Sequence, residues 1–246
     1  MSGQHKLVCV LSCVPLRAEP NDRSEQVSQI LAGESVIHLE DCDGNWFKLK
    51  SCEDGYEGFA DPRHFHAFVD LPRKMIVNDC VGKRGDSVAN LPLGGYVYED
   101  ANGWLLGDHR LECLSCSFES KPNTISDAAL RFLGAPYHWG GRTKSGIDCS
   151  GLTQISSRLI GVDLKRDASD QALQGASISW EERGEDDLVF FANSKGKITH
   201  VGIITAELNI IHASGEVRID KLTEEGIEHI ETGEITHKFS HIQRVV

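Results

Sequence analysis

One cysteine and two histidines in the second half of the chain have the residue types and the setting of a thiol nucleophile with its base. Cys149 stands at the start of a segment with helical spacing of apolar residues, where unpaired backbone N–H groups and the helix dipole favour a thiolate. The carboxylate of Asp148 disfavours that anion, so a cationic partner is needed. His200 and His212 lie in the β-rich runs THVGIIT and IIHAS. The pattern predicts nucleophilic catalysis by Cys149 with His200 as base, against the alternative of a small buried cysteine.

A hairpin would bring the two histidines to one face of a sheet. A loop of three residues (205–207) or of five (204–208) places His200 directly opposite His212. Gly202 then leaves room for the helix that carries Cys149. In this arrangement His200 accepts the thiol proton and later protonates the leaving amine, whereas His212 fixes the tautomer and orientation of His200. The alternative is that both are ordinary sheet histidines.

Two helices followed by strands are predicted to position these side chains. The first helix starts at the capping-box-like Thr124 and Asp127 and ends at Gly134, with an apolar face of Ala128, Ala129, Phe132 and Leu133. The second is capped by Asp148 and ended by Gly161, with an apolar side of Leu152, Ile155, Leu159 and Ile160. Strand-like runs DLVFFA, HVGIIT and IIHAS follow. Helices first and an antiparallel sheet second predict an α+β domain.

An internal repeat organises the first half of the chain. The pattern Val27-x-x-Ile30-x-x-Gly33-x-x-Val36 recurs as Val88-x-x-Leu91-x-x-Gly94-x-x-Val97, and a tryptophan follows each copy, at Trp46 and Trp104. Short β-runs bounded by Gly, Asp and Asn clusters surround these anchors, which is typical of a small barrel. The sequence therefore predicts two copies of one small barrel.

The first copy resembles bacterial SH3 domains, in which a G-Y-x-G-[FW] stretch closes the barrel. Here that stretch is Gly55-Tyr56-Glu57-Gly58-Phe59. The resemblance implies SH3-like barrels over residues 1–70 and 71–118. The second copy matches less well, and its alternative is an irregular insert. A polar segment with a proline, SFESKPN, then reads as a linker to a third domain over residues 122–246.

Composition and charge exclude some classes of partner. The formal net charge is −12 and no basic patch or stripe is evident, so nucleic acid is not an expected partner. The apolar stretch near the N-terminus is short and broken by Ser12, Cys13 and Pro15, and no segment approaches a membrane span. We therefore expect a cytoplasmic protein with reduced thiols and no membrane partner. The sequence does not indicate an oligomeric state.

One cysteine pair has the spacing of a zinc knuckle. Cys113 and Cys116 are two residues apart, but the chain has no second Cys-x-x-Cys or His-x3-His pair, and nearby His109 is a single imidazole. The sequence therefore predicts no metal site and implies no cofactor.

Six ordered motifs in the third domain resemble those of the NlpC/P60 cysteine peptidases. In order they are Tyr137-His138-Trp139-Gly140-Gly141, Asp148-Cys149-Ser150-Gly151-Leu152, Arg166-Asp167 with Gln171, Asp187-Leu188-Val189-Phe190-Phe191, His200-Val201-Gly202, and His212. The resemblance spans about residues 122–246. It implies a papain-like core with a Cys-His-His triad, and a Tyr137 hydroxyl that helps the Cys149 N–H to stabilise the oxyanion.

The SH3-like units narrow the resemblance to the γ-D-glutamyl-L-diamino acid endopeptidases. That subgroup cuts L-Ala-γ-D-Glu from the diamino acid of murein peptides whose L-Ala amine is free. A buried ammonium requires a carboxylate and a closing wall. We expect the charge from Asp148, the wall from Tyr56 by analogy with the subgroup, and a second acid from Glu19.

Two further residues are expected to serve the acidic part of such a substrate. Ser150, beside the nucleophile, is placed to hold the D-Glu carboxylate. Arg166 offsets the negative charge of the protein locally. The pattern departs from the family at Asp186, where glycine is usual and only a turn should change, and at Ala168, where serine or threonine is common and one polar substrate contact is put in doubt.

These expectations together give a cytoplasmic hydrolase that trims murein peptides during cell-wall recycling. The alternatives are a secreted or phage-type wall hydrolase anchored by its SH3 units, a thioester acyltransferase with the same thiol chemistry, and an inactive peptide-binding module. The sequence speaks against an acyltransferase, because it has no apolar segment to hold a lipid. The inactive module is hard to reconcile with a full set of nucleophile, base and orienting histidine.

Overall fold

The computed structural model describes residues 5–115 and 121–246. The chain divides into two units, Met1–Lys121 and Pro122–Val246. The division falls within the polar segment that the sequence predicts as a linker. Each unit has hydrophobic clusters of its own.

Antiparallel strands make up the first unit. In chain order they are β1 (Lys6–Cys9), β2 (Cys13–Arg17), β3 (Gln26–Leu31), β4 (Ser35–Cys42), β5 (Trp46–Ser51), β6 (Glu57–Ala60), β7 (Phe65–Ala67), β8 (Arg73–Met75), β9 (Cys80–Arg84), β10 (Ser87–Leu91), β11 (Tyr96–Asp100), β12 (Gly103–Leu106) and β13 (His109–Ser115). A 3₁₀ turn at Pro62–His64 precedes β7.

These strands form two sheets with the same internal order. The first runs β3-β2-β6-β5-β4-β1-β7 and the second β10-β9-β13-β12-β11-β8, so each strand of the second sheet has a counterpart in the first, with β7 as an addition. Gly33 and Gly94 of the sequence repeat have φ of 73° and 79°. Residues other than glycine rarely adopt this backbone conformation, which explains the glycine in both copies. The sequence repeat is therefore a repeat of strand order.

The two sheets of the first unit contact each other at Gly33. A Cβ at this position would lie 2.0 Å from the carbonyl oxygen of Tyr96, so no other residue allows this approach. The Tyr98 hydroxyl donates a hydrogen bond of 2.9 Å to the Gly33 carbonyl oxygen. The glycine of the first copy thus also holds the contact between the copies.

The cysteines depart in part from the expectation of reduced thiols. Among the described residues, the free cysteines are Cys9, Cys13, Cys42, Cys52, Cys113 and Cys149. Cys80 is disulfide-bonded, so the expectation is wrong at that position. Cys116, the second member of the zinc-knuckle spacing, lies outside the described residues.

The second unit begins with helices and ends with strands, as the sequence predicts. Its elements are α1 (Ile125–Leu130), β14 (Arg142–Thr143), β15 (Gly146–Ile147), α2 (Cys149–Ile160), α3 (Ala168–Gln171), β16 (Ala176–Ile178), β17 (Leu188–Ala192), β18 (Ile198–Ile204), β19 (Ile210–Ser214), β20 (Glu216–Leu222), β21 (Gly226–Glu228) and β22 (Ile235–Arg244). The sheet order is β16-β22-β17-β18-β19-β20-β21, and β21 pairs back to β22, which closes the sheet on itself.

The helix boundaries follow the local capping signals. The Thr124 hydroxyl accepts from the Asp127 N–H at 3.0 Å at the start of α1, but this helix ends at Leu130 and leaves Leu133 55 % exposed. Only part of the predicted apolar face is therefore buried. Helix α2 starts at Cys149 and ends at Gly161, whose φ is 97°. No described helix is long and apolar enough to cross a membrane.

The residue at position 186 has a backbone conformation that glycine adopts most readily. Asp186 has a φ of 72°, in the left-handed region. Its carboxylate accepts a hydrogen bond of 2.8 Å from the Ser126 N–H in the first turn of α1. The aspartate therefore does more than reshape a turn, because its side chain links the segment before β17 to the first turn of α1.

The hairpin that carries the two histidines forms with a different register from the one predicted. Ile204 pairs with Ile210 and Ile203 with Ile211, which closes a five-residue loop over 205–209. Continued along the strands, this register places Gly202, not His200, opposite His212. A Cβ on Gly202 would lie 3.0 Å from the His212 Cβ, so this glycine makes room for its sheet neighbour rather than for the helix. The two histidines still project from one face, because a shift of two residues preserves the face.

Candidate active site

Helix α2 presents the predicted nucleophile at its first position. Cys149 is 7 % exposed, and α2 packs on β18, the strand of His200. The backbone N–H groups of Val201 and Ser150 are directed at the sulfur and favour its anion. The thiol therefore lies beside the residue that follows His200 on β18.

The Asp148 carboxylate organises the start of α2. One oxygen accepts from the Gly151 N–H at 2.7 Å as the helix cap, and the other accepts from the Gly140 N–H at 2.8 Å. Arg166 donates to both oxygens, at 3.0 and 2.6 Å, and this ion pair is buried. Such bidentate charge-assisted pairs are geometrically specific. Asp148 is therefore both a cap and the partner of a buried arginine.

Two more side chains hold the same region. The Arg166 guanidinium also donates to the Ser150 hydroxyl at 2.9 Å. The buried Gln171 amide donates to the Ser150 carbonyl oxygen at 3.0 Å and accepts from the Thr153 hydroxyl at 2.7 Å. Arg166 and Gln171, which the motif comparison singled out, thus fix the first turn of α2 from outside the helix.

The resting thiol is neutral. Burial and, to a smaller extent, the Asp148 carboxylate raise the pKa of Cys149 to about 12, because the Val201 N–H and Arg166 oppose these effects only in part. Burial therefore outweighs the effect of the helix start, which favours a thiolate. Deprotonation requires a base that takes the proton as the sulfur attacks.

A chain of hydrogen bonds supports the predicted base. His200 Nε2 lies 2.8 Å from His212 Nδ1, and His212 Nε2 lies 3.0 Å from Asp220 Oδ2. Arg218 Nε donates to the same Asp220 oxygen at 2.8 Å. His200, His212 and Asp220 are all buried. The chain crosses three neighbouring strands, β18, β19 and β20.

The charges along this chain determine where the protons sit. Burial opposes ionisation of Asp220, but hydrogen bonds from His212 and Arg218 outweigh it and hold its pKa well below the usual range. Burial lowers the pKa of His212 and of His200, so both are neutral. An ionised Asp220 accepts the Nε2 proton of His212, whose Nδ1 then accepts the Nε2 proton of His200. The lone pair of His200 Nδ1 is left to take the thiol proton.

Asp220 and Arg218 were not identified from the sequence, although a local signal exists. After His212, the segment Ser214-Gly215-Glu216 is a tight turn, and β20 then pairs so that Arg218 lies opposite His212. The alternation in the run EVRID puts position 220 on the same face as position 218. Extending the hairpin argument by one strand would have indicated both residues.

Removing the charge of Asp220 is expected to slow the reaction rather than to weaken substrate binding. In Asp220→Asn the amide can donate to His212, which favours the wrong tautomer of that ring and disorders the base. We expect kcat to fall about 10- to 100-fold with little change in KM, the range for partners that lie one residue behind a functional group. Steady-state kinetics check this; a change confined to KM would contradict it.

Tyr137 has the protonation state that an oxyanion donor needs. Burial, with smaller contributions from Cys149 and Asp148, raises its pKa to about 12, and the contribution of Cys149 places the phenol within electrostatic range of the sulfur. Its backbone N–H donates to the Gly215 carbonyl oxygen at 2.8 Å, next to the β19–β20 turn. The hydroxyl therefore keeps its proton at neutral pH and is available as a donor.

The other residues predicted to contact substrate are in two different settings. Ser150 and Arg166 are buried and bonded to each other, as described above. In the first unit, Tyr56 is partly buried against the core of the first sheet, and Glu19 is exposed. The contacts of these four residues with a substrate stay predictions.

Three histidines of the second unit come close together without forming a preformed metal site. The ring nitrogens of His200, His212 and His237 lie within 4.8 Å of one another. The rings of His200 and His237 are stacked, with centroids 4.0 Å apart and planes at 24°. A metal ion lies in the plane of each imidazole that binds it, so two stacked rings cannot share one ion without turning.

A second group of this kind lies in the first unit and comprises His66, Asp108 and His109. His66 Nδ1 already pairs with Asp108 Oδ1 at 2.6 Å. The carboxylate of Asp108 is 67 % exposed, so the contact between His66 and Asp108 is an ordinary surface pair.

Comparison with known proteins identifies two domains. Residues 134–235 match the NlpC/P60 family, and residues 16–64 match the bacterial dipeptidyl-peptidase SH3 domain. Dipeptidyl-peptidase 6 of Lysinibacillus sphaericus is 25 % identical over 256 residues, which cover 85 % of this chain and 89 % of that protein. The γ-D-glutamyl-L-lysine dipeptidyl-peptidase of Bacillus cereus is 37 % identical over 84 residues, 33 % of this chain. That match spans 25 % of the length of the relative.

A solved structure shares the fold. The crystal structure of an NlpC/P60 family protein from Bacillus cereus superposes with a TM-score of 0.77 at 20 % identity, covering 98 % of this chain and 99 % of the other. This likeness extends over both units of the chain. The papain-like fold of the second unit and an SH3-like domain in the first agree with the sequence-based prediction.

Proposed function

We propose that this chain, whose residues 134–235 are an NlpC/P60 cysteine peptidase domain, hydrolyses the γ-D-Glu–diamino acid bond of murein peptides. The proposed substrate carries an unblocked N-terminal L-Ala, and the proposed role is the recycling of cell-wall peptides. The proposed architecture is a peptidase domain preceded by two SH3-like barrels, the second of which rests on the shared strand order of the two sheets.

The hydrogen-bonded chain behind His200 carries this proposal. His200 is neutral, and its Nε2 lies 2.8 Å from His212 Nδ1. Its Nδ1 is therefore available to accept a thiol proton. As Cys149 attacks the peptide carbonyl, its proton passes to His200 Nδ1, and Tyr137 and the Cys149 N–H receive the developing oxyanion. His200 then returns the proton to the leaving amine of the diamino acid. Water then attacks the thioester carbonyl while His200 takes its proton, and His200 returns that proton to the Cys149 sulfur as the C–S bond breaks and the acid product leaves.

The choice of substrate rests on the presence of both types of domain in one chain. A matched relative is named a γ-D-glutamyl-L-lysine dipeptidyl-peptidase, and the SH3 match is to a domain of bacterial dipeptidyl-peptidases. We assign recognition of the L-Ala ammonium to Tyr56, Asp148 and Glu19. Asp148 already has Arg166 as a partner, so its contribution is a fixed acceptor rather than an uncompensated charge.

Blocking the amine of the substrate is expected to abolish cleavage. An N-acetyl group removes the positive charge of the amine and adds bulk there. We expect purified protein to cleave L-Ala-γ-D-Glu-diaminopimelate, and to cleave the N-acetylated peptide at least about 100-fold more slowly, since a buried charged contact is worth about 3 kcal/mol. Mass spectrometry of the products checks this, with Cys149→Ala as control.

Other outcomes identify the alternatives. Equal cleavage of both peptides would keep the peptidase and remove amine recognition by Tyr56, Asp148 and Glu19. Cleavage of intact murein but not of either peptide would instead indicate a wall hydrolase. The cytoplasmic location is also a proposal: most described cysteines are free thiols but Cys80 is disulfide-bonded, and cell fractionation tests it.

A further inference from the structure

The ring that covers His200 is the feature of the site that the proposed reaction does not use. His237 lies on β22, which the sheet order brings next to β17 and β21 rather than next to β18. Its ring is stacked on His200 at 4.0 Å and meets His212 edge-on at 5.9 Å. The NlpC/P60 match ends at residue 235, before this position.

We propose that His237 is a positioning residue of the active site, whose imidazole holds the plane of His200 and shields the base from water and from protonation. The inference rests on the proposed function, because it concerns the base of that reaction. The His237 ring contacts the rings of His200, His212 and Phe191, so it would act through the base rather than on the substrate.

The backbone at His237 is held in place by a close approach. A Cβ on Gly226 would lie 1.8 Å from the His237 carbonyl oxygen, so the β21–β22 contact exists only with glycine there. The His237 ring is directed further by Nδ1, which lies 3.0 Å from the Thr236 hydroxyl. The His237 ring is therefore supported on β22 itself as well as by its stack on His200.

Phe191 completes an aromatic group around the base. Its ring centroid is 5.8 Å from that of His200 and 6.2 Å from that of His237. Aromatic contacts of this kind favour a particular ring orientation in addition to the effect of buried area. The faces of the His200 ring are therefore held by aromatic contacts, and its edge is held by the hydrogen bond with His212.

The groups that face His200 disfavour its protonation. They come from three strands: His212 on β19, Arg218 on β20 and His237 on β22. Helix α2, which carries Cys149, also packs on β18. The acids of the two other helices packed on β18, Asp127 and Asp170, are exposed. Burial lowers the pKa of His200 well below its usual value, and His237, His212 and Arg218 lower it further.

The sign of the resulting pH dependence follows directly. His200 acts as a base only when neutral, so activity is present above its pKa and is lost as pH falls through it. With that pKa well below the usual value, activity should persist into mildly acidic solution. Removing the covering ring admits water, which eases protonation of His200 and moves the acidic limit of activity to higher pH.

Two variants at position 237 and a matched control on the same strand test the proposal. His237→Ala removes the ring, and His237→Phe keeps a flat ring without nitrogens. His241 also lies on β22 but stacks on Phe190, at 5.1 Å and 15°, so His241→Ala controls for loss of a stacked ring elsewhere on the strand.

We expect His237→Ala to lower kcat about 3- to 10-fold, with KM changed less than about twofold. Its acidic limit should move up by about one pH unit. We expect His237→Phe to keep kcat within about twofold, and His241→Ala to change neither quantity.

The rate of Cys149 alkylation by iodoacetamide against pH gives the same limit without any peptide. If the parent protein cleaves no peptide but the alkylation limit moves in His237→Ala alone, the proposed function fails and this inference stands. An alanine variant that matches the parent in kcat and in the alkylation limit overturns the inference. Equal effects of His237→Phe and His237→Ala, or of His241→Ala, would overturn it as well.

Discussion

Replacement of Cys149 by alanine is expected to lower kcat/KM for the amine-bearing tripeptide by about 10⁴-fold or more, and His200→Ala is expected to cost about as much. The thiol is neutral because burial raises its pKa to about 12, so it has no reactivity without a base. The base in turn has nothing to deprotonate without the thiol. The double variant should therefore be no slower than either single variant, which product analysis by mass spectrometry can establish.

Matched controls for this experiment exist in the same chain. Cys113 is another free cysteine, in the first unit, and Cys113→Ala should leave the rate within about twofold. If either Cys149→Ala or His200→Ala kept a tenth of the parent activity, the proposed pair would be wrong. Strictly additive losses in the double variant would show that the two residues act in separate steps.

Removing Arg166 is expected to destabilise the second unit by about 3–5 kcal/mol, because it leaves the Asp148 carboxylate buried without its cation. The Arg166 guanidinium makes bonds of 3.0 and 2.6 Å to that carboxylate. Arg166→Met preserves much of the side-chain volume, so the loss reports charge more than packing. Combining it with Asp148→Asn should recover part of the stability, since the asparagine oxygen still caps α2 and carries no charge.

Hydrogen exchange of peptides from residues 122–246 at rising urea measures this free energy without interference from the first unit. An exposed ion pair of the same unit serves as the reference. Lys221 lies 3.1 Å from Glu228, and Lys221→Met should cost less than about 1 kcal/mol. If Arg166→Met cost no more than Lys221→Met, or if Asp148→Asn gave no recovery, the buried pair would not be what holds this region.

The start of α2 could be predicted from the sequence because its signals are local. Asp148 is a good cap, and Gly161 adopts the left-handed conformation that ends many helices. The repeat in the first half was visible for the same reason, since Gly33 and Gly94 each occupy a turn that needs a positive φ. At both places the physical requirement involves only a few neighbouring residues.

Longer-range features could not be predicted in the same way. The hairpin of His200 and His212 was expected, but its register depends on a five-residue loop in which Leu208 has a φ of 60°, a conformation that its residue type does not suggest. The contact of His237 with His200 needs β21 and β22 to close the sheet. Likewise, the pairing of Asp148 with Arg166 joins two segments whose spacing alone carries no signal.

The position of the base and its supports on consecutive strands has a consequence for the order of folding. His200, His212 and Asp220 lie on β18, β19 and β20, which are joined by two short hairpins. Hairpins close in microseconds, whereas docking of a helix from far along the chain waits for slower, non-local contacts. The hydrogen-bonded chain of these three residues can thus assemble while Cys149 is still remote from it. The reactive thiol would then meet its base only as the domain completes its core, which limits unwanted thiol chemistry in the nascent chain.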